Sequence, residues 1–160
     1  MSFNIAELRA TLPQEGRVCW IGVRPARDTP MIEADRVEVR PGQGLTGDRY
    51  SARSRVREVT LIQHEHLAVI GALLHGAPLA PAVLRRNLVI SGVNLLALRD
   101  RSFWVGEVQL SGTGLAHPCS KMEQRLGPGG YNAMRGHGGI TARVDVGEIL
   151  KLGDPVRDGR

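Results

Sequence analysis

The chain has 160 residues, 42% of them hydrophobic and 23% charged, enough apolar material to bury a core without disulfide or metal staples. Its two cysteines exclude a secreted disulfide framework, and no apolar run approaches the roughly 20 residues that span a bilayer. The formal charge of +5 is spread as scattered arginine with no block of like charges, so charge alone does not choose between nucleic acid, a membrane surface and a phosphorylated small molecule.

The opening segment, MSFNIAELRATLPQEGR, carries acids and lacks the apolar centre of a signal peptide, which points to a soluble, cytoplasmic protein with reduced thiols. Residues 5–12 suit a short amphipathic helix. RVCWIGVRP reads as a near-continuous apolar strand ended by Pro25. In IEADRVEVRPG, Val37 and Val39 alternate with charged neighbours, the period of a half-buried strand. VREVTLIQ is a further strand. The helix HEHLAVIGALLHG follows, with Leu67, Ile70, Leu73 and Leu74 on one face and Gly76 as its stop.

Pro81 opens a short helix, and NLVIS returns to strand. FWVGEVQLSGTG reads as two strands about a tight turn at Gly106-Glu107. PCSKMEQRLG is one helix, with Pro118 in its first turn and Gly127 at its end. A glycine-rich loop, GPGGYNAMRGHGG, precedes two or three short strands separated by Gly147 and Gly153. Seven or so strands with two or three short helices predict an α+β fold, predominantly β, built around a barrel. Residues 1–160 are expected to form one domain, with its core at about 15–157 and 1–14 as an N-terminal extension.

GQGLTG matches the glycine pattern of dinucleotide-binding folds, but no helix or βαβ unit follows it. A glycine-rich connection between strands is the better reading. Asp48 and Arg49, just after it, stay in view. His64 and His66 lack the second ligand pair of a zinc motif. His117 and His137 are better placed for function. Cys19, inside VCWIGV, reads as a small buried hydrophobe. Cys119 differs, because it follows a proline at a helix start and has Ser120 and Lys121 next to it. A reactive thiol and a structural cysteine stand level there on local sequence.

In RRN, two adjacent arginines diverge, so one of Arg85 and Arg86 faces a cavity where its fork suits phosphate oxygens. Asn87 adds an amide able to read a heterocycle edge. The loop from Gly127 to Gly139 offers backbone N–H groups to an anion.

GLTGDRY, VTLIQHEHL, LRRNLVISGVNLLAL, FWVGEVQLSGTGLAHPC and GHGGITARVDVGEILKLGDPV, in that order, resemble the MOSC domain, the C-terminal domain of molybdenum-cofactor sulfurases. The resemblance implies a β-rich, partly open barrel and a function tied to the molybdenum cofactor, molybdopterin, a phosphorylated pterin whose dithiolene holds the metal. It makes Cys119 the key residue, either carrying sulfur as a persulfide or ligating molybdenum. Arg85, Arg86, Asn87, Ser120, Lys121, His117, Asp48 and Arg49 are the residues expected about the cofactor. A cysteine desulfurase is the implied sulfur donor and a molybdoenzyme the acceptor.

The alternative within the family is a molybdenum-dependent reductase of N-hydroxylated compounds, served by an electron-transfer protein. SARSRVRE stands where some members carry histidines after the GLxGD segment, and no pyridoxal-phosphate desulfurase domain is expected in this chain. A nucleic-acid-binding barrel is a separate possibility, disfavoured because two Trp, two Tyr and two Phe leave few rings for stacking on bases. The expected partners thus include neither nucleic acid nor a membrane.

Overall fold

A computed structural model describes residues 2–50 and 53–159. Helix α1 (Ile5–Ala10) opens the chain. Asn4 caps it in a reciprocal box with Glu7, and it contributes no buried side chain. Strands β1 (Gly16–Val23), β2 (Ile32–Glu33), β3 (Arg36–Arg40), β4 (Gly44–Leu45) and β5 (Val59–Gln63) follow. Helix α2 (His64–Leu73) leads to a 3₁₀ turn at Pro81–Leu84, then β6 (Leu88–Ser91), a second 3₁₀ turn at Leu95–Leu98, β7 (Ser102–Val105) and β8 (Val108–Leu115). The last third holds α3 (Ser120–Leu126), α4 (Gly130–Met134), β9 (Ile140–Val146), β10 (Ile149–Lys151) and β11 (Pro155–Asp158).

Seven strands close into a barrel in the order β1-β6-β5-β9-β8-β7-β11, with β11 returning to β1. All neighbours are antiparallel except β5 and β6, which the crossover through α2 makes parallel. The closing seam is short, only Gly16 against Val156 and Arg17 against Pro155. β10, β3 and β4 form a small separate sheet, so GQGLTG is indeed a connection between strands. The α+β barrel expected from strand spacing is therefore observed, with four short α-helices among the described residues.

Two apolar clusters hold the structure. Val18, Ile21, Leu61, Leu88, Ile90, Phe103, Leu110, Val144 and Val156 fill the barrel interior. Outside it, Trp20, Ile62 and Val89 meet Leu67 and Ile70 of α2, Met122 of α3 and Met134 of α4. β5 is thus covered on both faces, which is why its apolar run is continuous rather than alternating.

Three local expectations change. Leu73 is 55% exposed, and the apolar face of α2 runs through Leu67, Ile70 and Gly71 instead. The helix ends in a Schellman turn in which His75, at φ 60°, takes the left-handed position expected of Gly76. Cys19 is exposed because it follows Arg17 outward in the alternation of β1; the register slip between Val18 and Trp20 then puts Trp20 in the outer cluster and Ile21 in the barrel. No helix among the described residues is long and apolar enough to cross a membrane.

Candidate functional site

Cys119 is the N-cap of α3, with extended backbone at φ −131°, and Pro118 lies one residue before it rather than in the first turn. The thiol is exposed, while Met122, three residues on, is buried in the outer cluster and anchors the helix. Cys119 therefore stands at the rim of a cleft of about 110 Å³ whose floor and far wall come from distant parts of the chain. An adjoining cleft of about 290 Å³ shares Arg24, Arg49 and Arg57 with it.

The far wall begins where β1 ends. The backbone N–H of Arg24 donates to Asp48 Oδ1 at 2.7 Å, and its guanidinium reaches the same carboxylate from Nε at 3.1 Å and from Nη2 at 2.9 Å. Asn87 is fully buried. Its Nδ2 donates to Asp48 Oδ1 at 3.2 Å and to the Gly22 carbonyl at 3.1 Å, while its Oδ1 accepts from the backbone and hydroxyl of Thr60. The amide expected to read a ligand edge is spent on joining β1, β5 and the Asp48 turn. Burial pushes the Asp48 carboxyl up, but Arg24 and Asn87 more than offset it and hold it below the usual carboxylate range.

Arg85 and Arg86 do not diverge into solvent and cavity. Both are inward, at 9% and 4% exposure, because Arg85 adopts a left-handed backbone at φ 57°. Arg85 donates to the carbonyls of Thr29 and Ala26, fixing the turn after β1. Arg86 donates to three carbonyls, those of Gly138 at 2.9 Å, Ala116 at 3.1 Å and Leu84 at 3.2 Å. It has no carboxylate partner among the described residues. Burial, with Arg57 and Arg24 nearby, lowers its pKa to about 10.

Arg57 makes no hydrogen bond or ion pair among the described residues. Burial and Arg24 lower its pKa, and the Cys119 sulfur acts the other way. Lys121 pairs with the exposed Asp28 at 3.3 Å, and Arg49 and Arg125 complete the lining. Seven basic side chains thus line the cleft with one carboxylate, Asp28.

Cys119, Arg85, Arg86, Lys121 and Arg49 line one cleft, with Asp48 and Asn87 behind them. His117 and Ser120 are exposed and do not line the cleft. The glycine-rich loop contains α4, and the N–H groups of Gly127, Gly129, Gly130, Tyr131, Ala133, Arg135 and His137 are already used within the protein. Glu123 of α3 accepts from Gly129 and Tyr131 at 2.7 Å each, which holds its carboxyl low. Residues 51 and 52 of the SARSRVRE segment lie outside the described residues.

Sequence reasoning did not single out Arg24, Arg57, Arg125 or Asp28. Only Arg125 carried a local signal, four residues after Lys121 on one helix face.

The family model for the MOSC domain matches residues 47–157. No curated protein matches the chain in sequence. Among solved structures, the YuaD protein from Bacillus subtilis aligns with a TM-score of 0.76 at 16% identity, over 91% of this chain and 97% of that one. YiiM from Escherichia coli aligns at 0.68 and 19% identity over 90% of this chain and 70% of that one. YiiM from Geobacillus stearothermophilus gives 0.67 and 18%, over 91% and 75%. At these identities the likeness to each structure is one of fold.

Proposed function

The chain belongs to the MOSC domain family, and from that premise we propose that it handles the molybdenum cofactor or its sulfur in the basic cleft, with Cys119 as the sulfur-bearing residue. The observation that carries this reading is an exposed thiol at a cleft lined by seven cations and one carboxylate, with Asp48 behind the wall paired to Arg24. Such a donor set fits an anionic, phosphate-bearing ligand with a soft metal or sulfur centre at one end.

Different residues take different parts. Arg49, Arg57 and Arg125 have no carboxylate on them among the described residues and are the charges with capacity to spare for a phosphate, while Lys121 shares its charge with Asp28. Asp48 and Asn87 fix Arg24, while Arg85 and Arg86 fix the walls through backbone carbonyls. When bound, the cofactor supplies a molybdenum centre, for which a thiolate is a suitable ligand.

As a sulfur carrier, the Cys119 thiolate attacks the outer sulfur of a persulfide on a cysteine-desulfurase-type donor. A new S–S bond forms on Cys119 as the donor's S–S bond breaks, and the donor cysteine leaves as thiolate with no net redox change. Delivery repeats the exchange: a cysteine thiolate of the accepting molybdoenzyme attacks the outer sulfur, and Cys119 leaves as thiolate, again with no net redox change. Cytoplasmic residence, with both thiols reduced, belongs to the same proposal, as does the absence of nucleic acid and membrane among the partners.

The test is molybdenum and pterin content per chain, purified without oxygen from a cofactor-producing host, for wild type and Cys119→Ser. The Cys119 peptide is weighed after incubation with a desulfurase and cysteine. A transferable extra sulfur on Cys119 supports the carrier. Near-stoichiometric metal lost in Cys119→Ser makes Cys119 a ligand and points to the reductase chemistry. Neither metal nor persulfide at Cys119 overturns the reading.

A further inference from the structure

The strap at residues 136–139, whose Gly138 carbonyl holds Arg86, also brings His137 into a second cavity of about 240 Å³. This cavity shares no lining residue with the Cys119 cleft. His66, in the first turn of α2, enters it from the other side, and Leu95, Leu115 and Ile140 supply apolar wall.

The two imidazoles meet edge to face, with ring centroids 4.9 Å apart and planes at 71°. Neither ring makes a hydrogen bond to a protein group among the described residues, and His137 Nδ1 is buried without a partner. Buried polar nitrogen is rarely left so, and an orphaned one calls for an explanation. Two imidazoles bound to one ion at about 2.0–2.1 Å, at right-angled to tetrahedral geometry, have ring centres roughly 5 Å apart. The observed 4.9 Å falls within the spacing open to two ligands of a single ion, and within that of an ordinary edge-to-face pair; it is the unpartnered, buried His137 Nδ1 that favours the first.

We propose that His66 and His137 form a metal seat of their own, an open two-imidazole site for a divalent ion of the copper, nickel or zinc type. Its remaining coordination positions are left to water or a small ligand in the cavity. The chemistry of the neighbours agrees. Burial and His137 together lower the His66 pKa, which favours the neutral, ligating imidazole. Glu65 is not available as a third ligand, because its carboxylate is taken by Gln63 Nε2 and the Gly92 N–H. Among the described residues no group of three or more potential ligands forms. Two neutral nitrogen ligands select by the usual order of affinity, with Cu²⁺ ahead of Zn²⁺.

The experiment is a Cu²⁺ titration of the full chain carrying Cys19→Ser and Cys119→Ser, so that no thiol competes and the result is independent of the function proposed for Cys119. Calorimetry near neutral pH is expected to give one ion per chain, with hyperfine structure from two imidazole nitrogens in the electron paramagnetic resonance spectrum. His66→Ala or His137→Ala weakens binding at least about tenfold, since even outer-sphere changes at metal sites cost 10–100-fold. His64→Ala and His75→Ala, both at exposed positions, leave it unchanged. A readout that needs no variant at the site is Zn²⁺ protection of His66 and His137 from diethyl pyrocarbonate in the wild-type protein. Binding that survives the His66→Ala/His137→Ala double variant, or follows His64 or His75, overturns the assignment. So does the absence of any one-equivalent site or of protection.

Discussion

Asp48 grips the guanidinium of Arg24 at two points, 2.9 and 3.1 Å, with its own side chain fully out of solvent. Asn87 braces the same carboxylate, so a charge at the end of β1 is aimed by a residue at the start of β6. Asp48→Asn leaves Arg24 buried beside a neutral amide. The expected loss is about 3 kcal/mol at neutral pH, the lower range for breaking a buried pair. Because the folded carboxyl titrates below its unfolded value, this stabilisation is fully present above pH ~4 and fades as pH falls through the folded pKa. Denaturant titrations from neutral pH down to acid are expected to show the two proteins converging only at the acid end. A constant gap across that range would sink the assignment of the difference to this pair.

Arg57 poses the opposite case, a partly buried cation with no acid on it among the described residues. Its burial is unfavourable in the free protein and is offset only when an anion arrives. Arg57→Gln is therefore expected to leave the denaturation midpoint unchanged or raise it, while weakening pyrophosphate binding on the order of tenfold, the loss of one charge-assisted contact. Calorimetry at two salt concentrations measures the second effect. A variant that loses stability while keeping its affinity for pyrophosphate contradicts the role given to Arg57.

Much of the barrel was readable because its strands obey simple periods. The Val37 and Val39 alternation gave β3, and the unbroken VTLI run gave a strand covered on both faces. Cys119 stood level between a reactive and a structural thiol on its neighbours alone, and only the fold exposes it at the start of α3 beside the cleft. The cleft around it was not legible, because Arg24 and Arg57 lie 95 and 62 residues before Cys119, just past the end of β1 and just before β5, with no shared local pattern. Asn87 was misread for a related reason. An amide beside two arginines looks like a ligand contact until the topology puts Thr60, Gly22 and Asp48 around it. Cys19 was misread because the unbroken apolar run VCWIGV hides the alternation that turns it outward beside Arg17.

Gly139 enters β9 at φ 89°, and a Cβ there would lie 1.9 Å from the Leu61 carbonyl oxygen, beside the Leu61–Ile140 pairing. Gly127, at φ 86° after α3, has nothing within 4 Å of the same construction. Both substitutions to alanine incur the strain of a positive φ, about 1–3 kcal/mol each. Gly139→Ala adds a backbone collision and is expected to cost more than about 3 kcal/mol in all. Equal shifts in the unfolding midpoint for the two would mean that the strap can relax away from β5.

The two exposed cysteines allow a direct test of the cleft's field. Cys19 sits on the barrel exterior with its Sγ 3.1 Å from Ser91 Oγ, while Cys119 faces Arg57, Arg86 and Lys121. Iodoacetate is an anion and iodoacetamide is neutral, so their rate ratio at one thiol reports the local potential and cancels that thiol's own nucleophilicity. A cleft lined by one sign of charge raises the local concentration of the opposite ion by 10-fold or more, on the order of the lower steering limit. The iodoacetate-to-iodoacetamide ratio is therefore expected to be about tenfold higher at Cys119 than at Cys19, by peptide mapping at low ionic strength. It should fall toward the Cys19 value at ~1 M salt, where screening reaches only about 3 Å, and fall partway in Arg57→Gln. Equal ratios at the two cysteines in low salt would mean that the arginines of the cleft are satisfied by the protein itself. The anion-binding role would then have to be withdrawn.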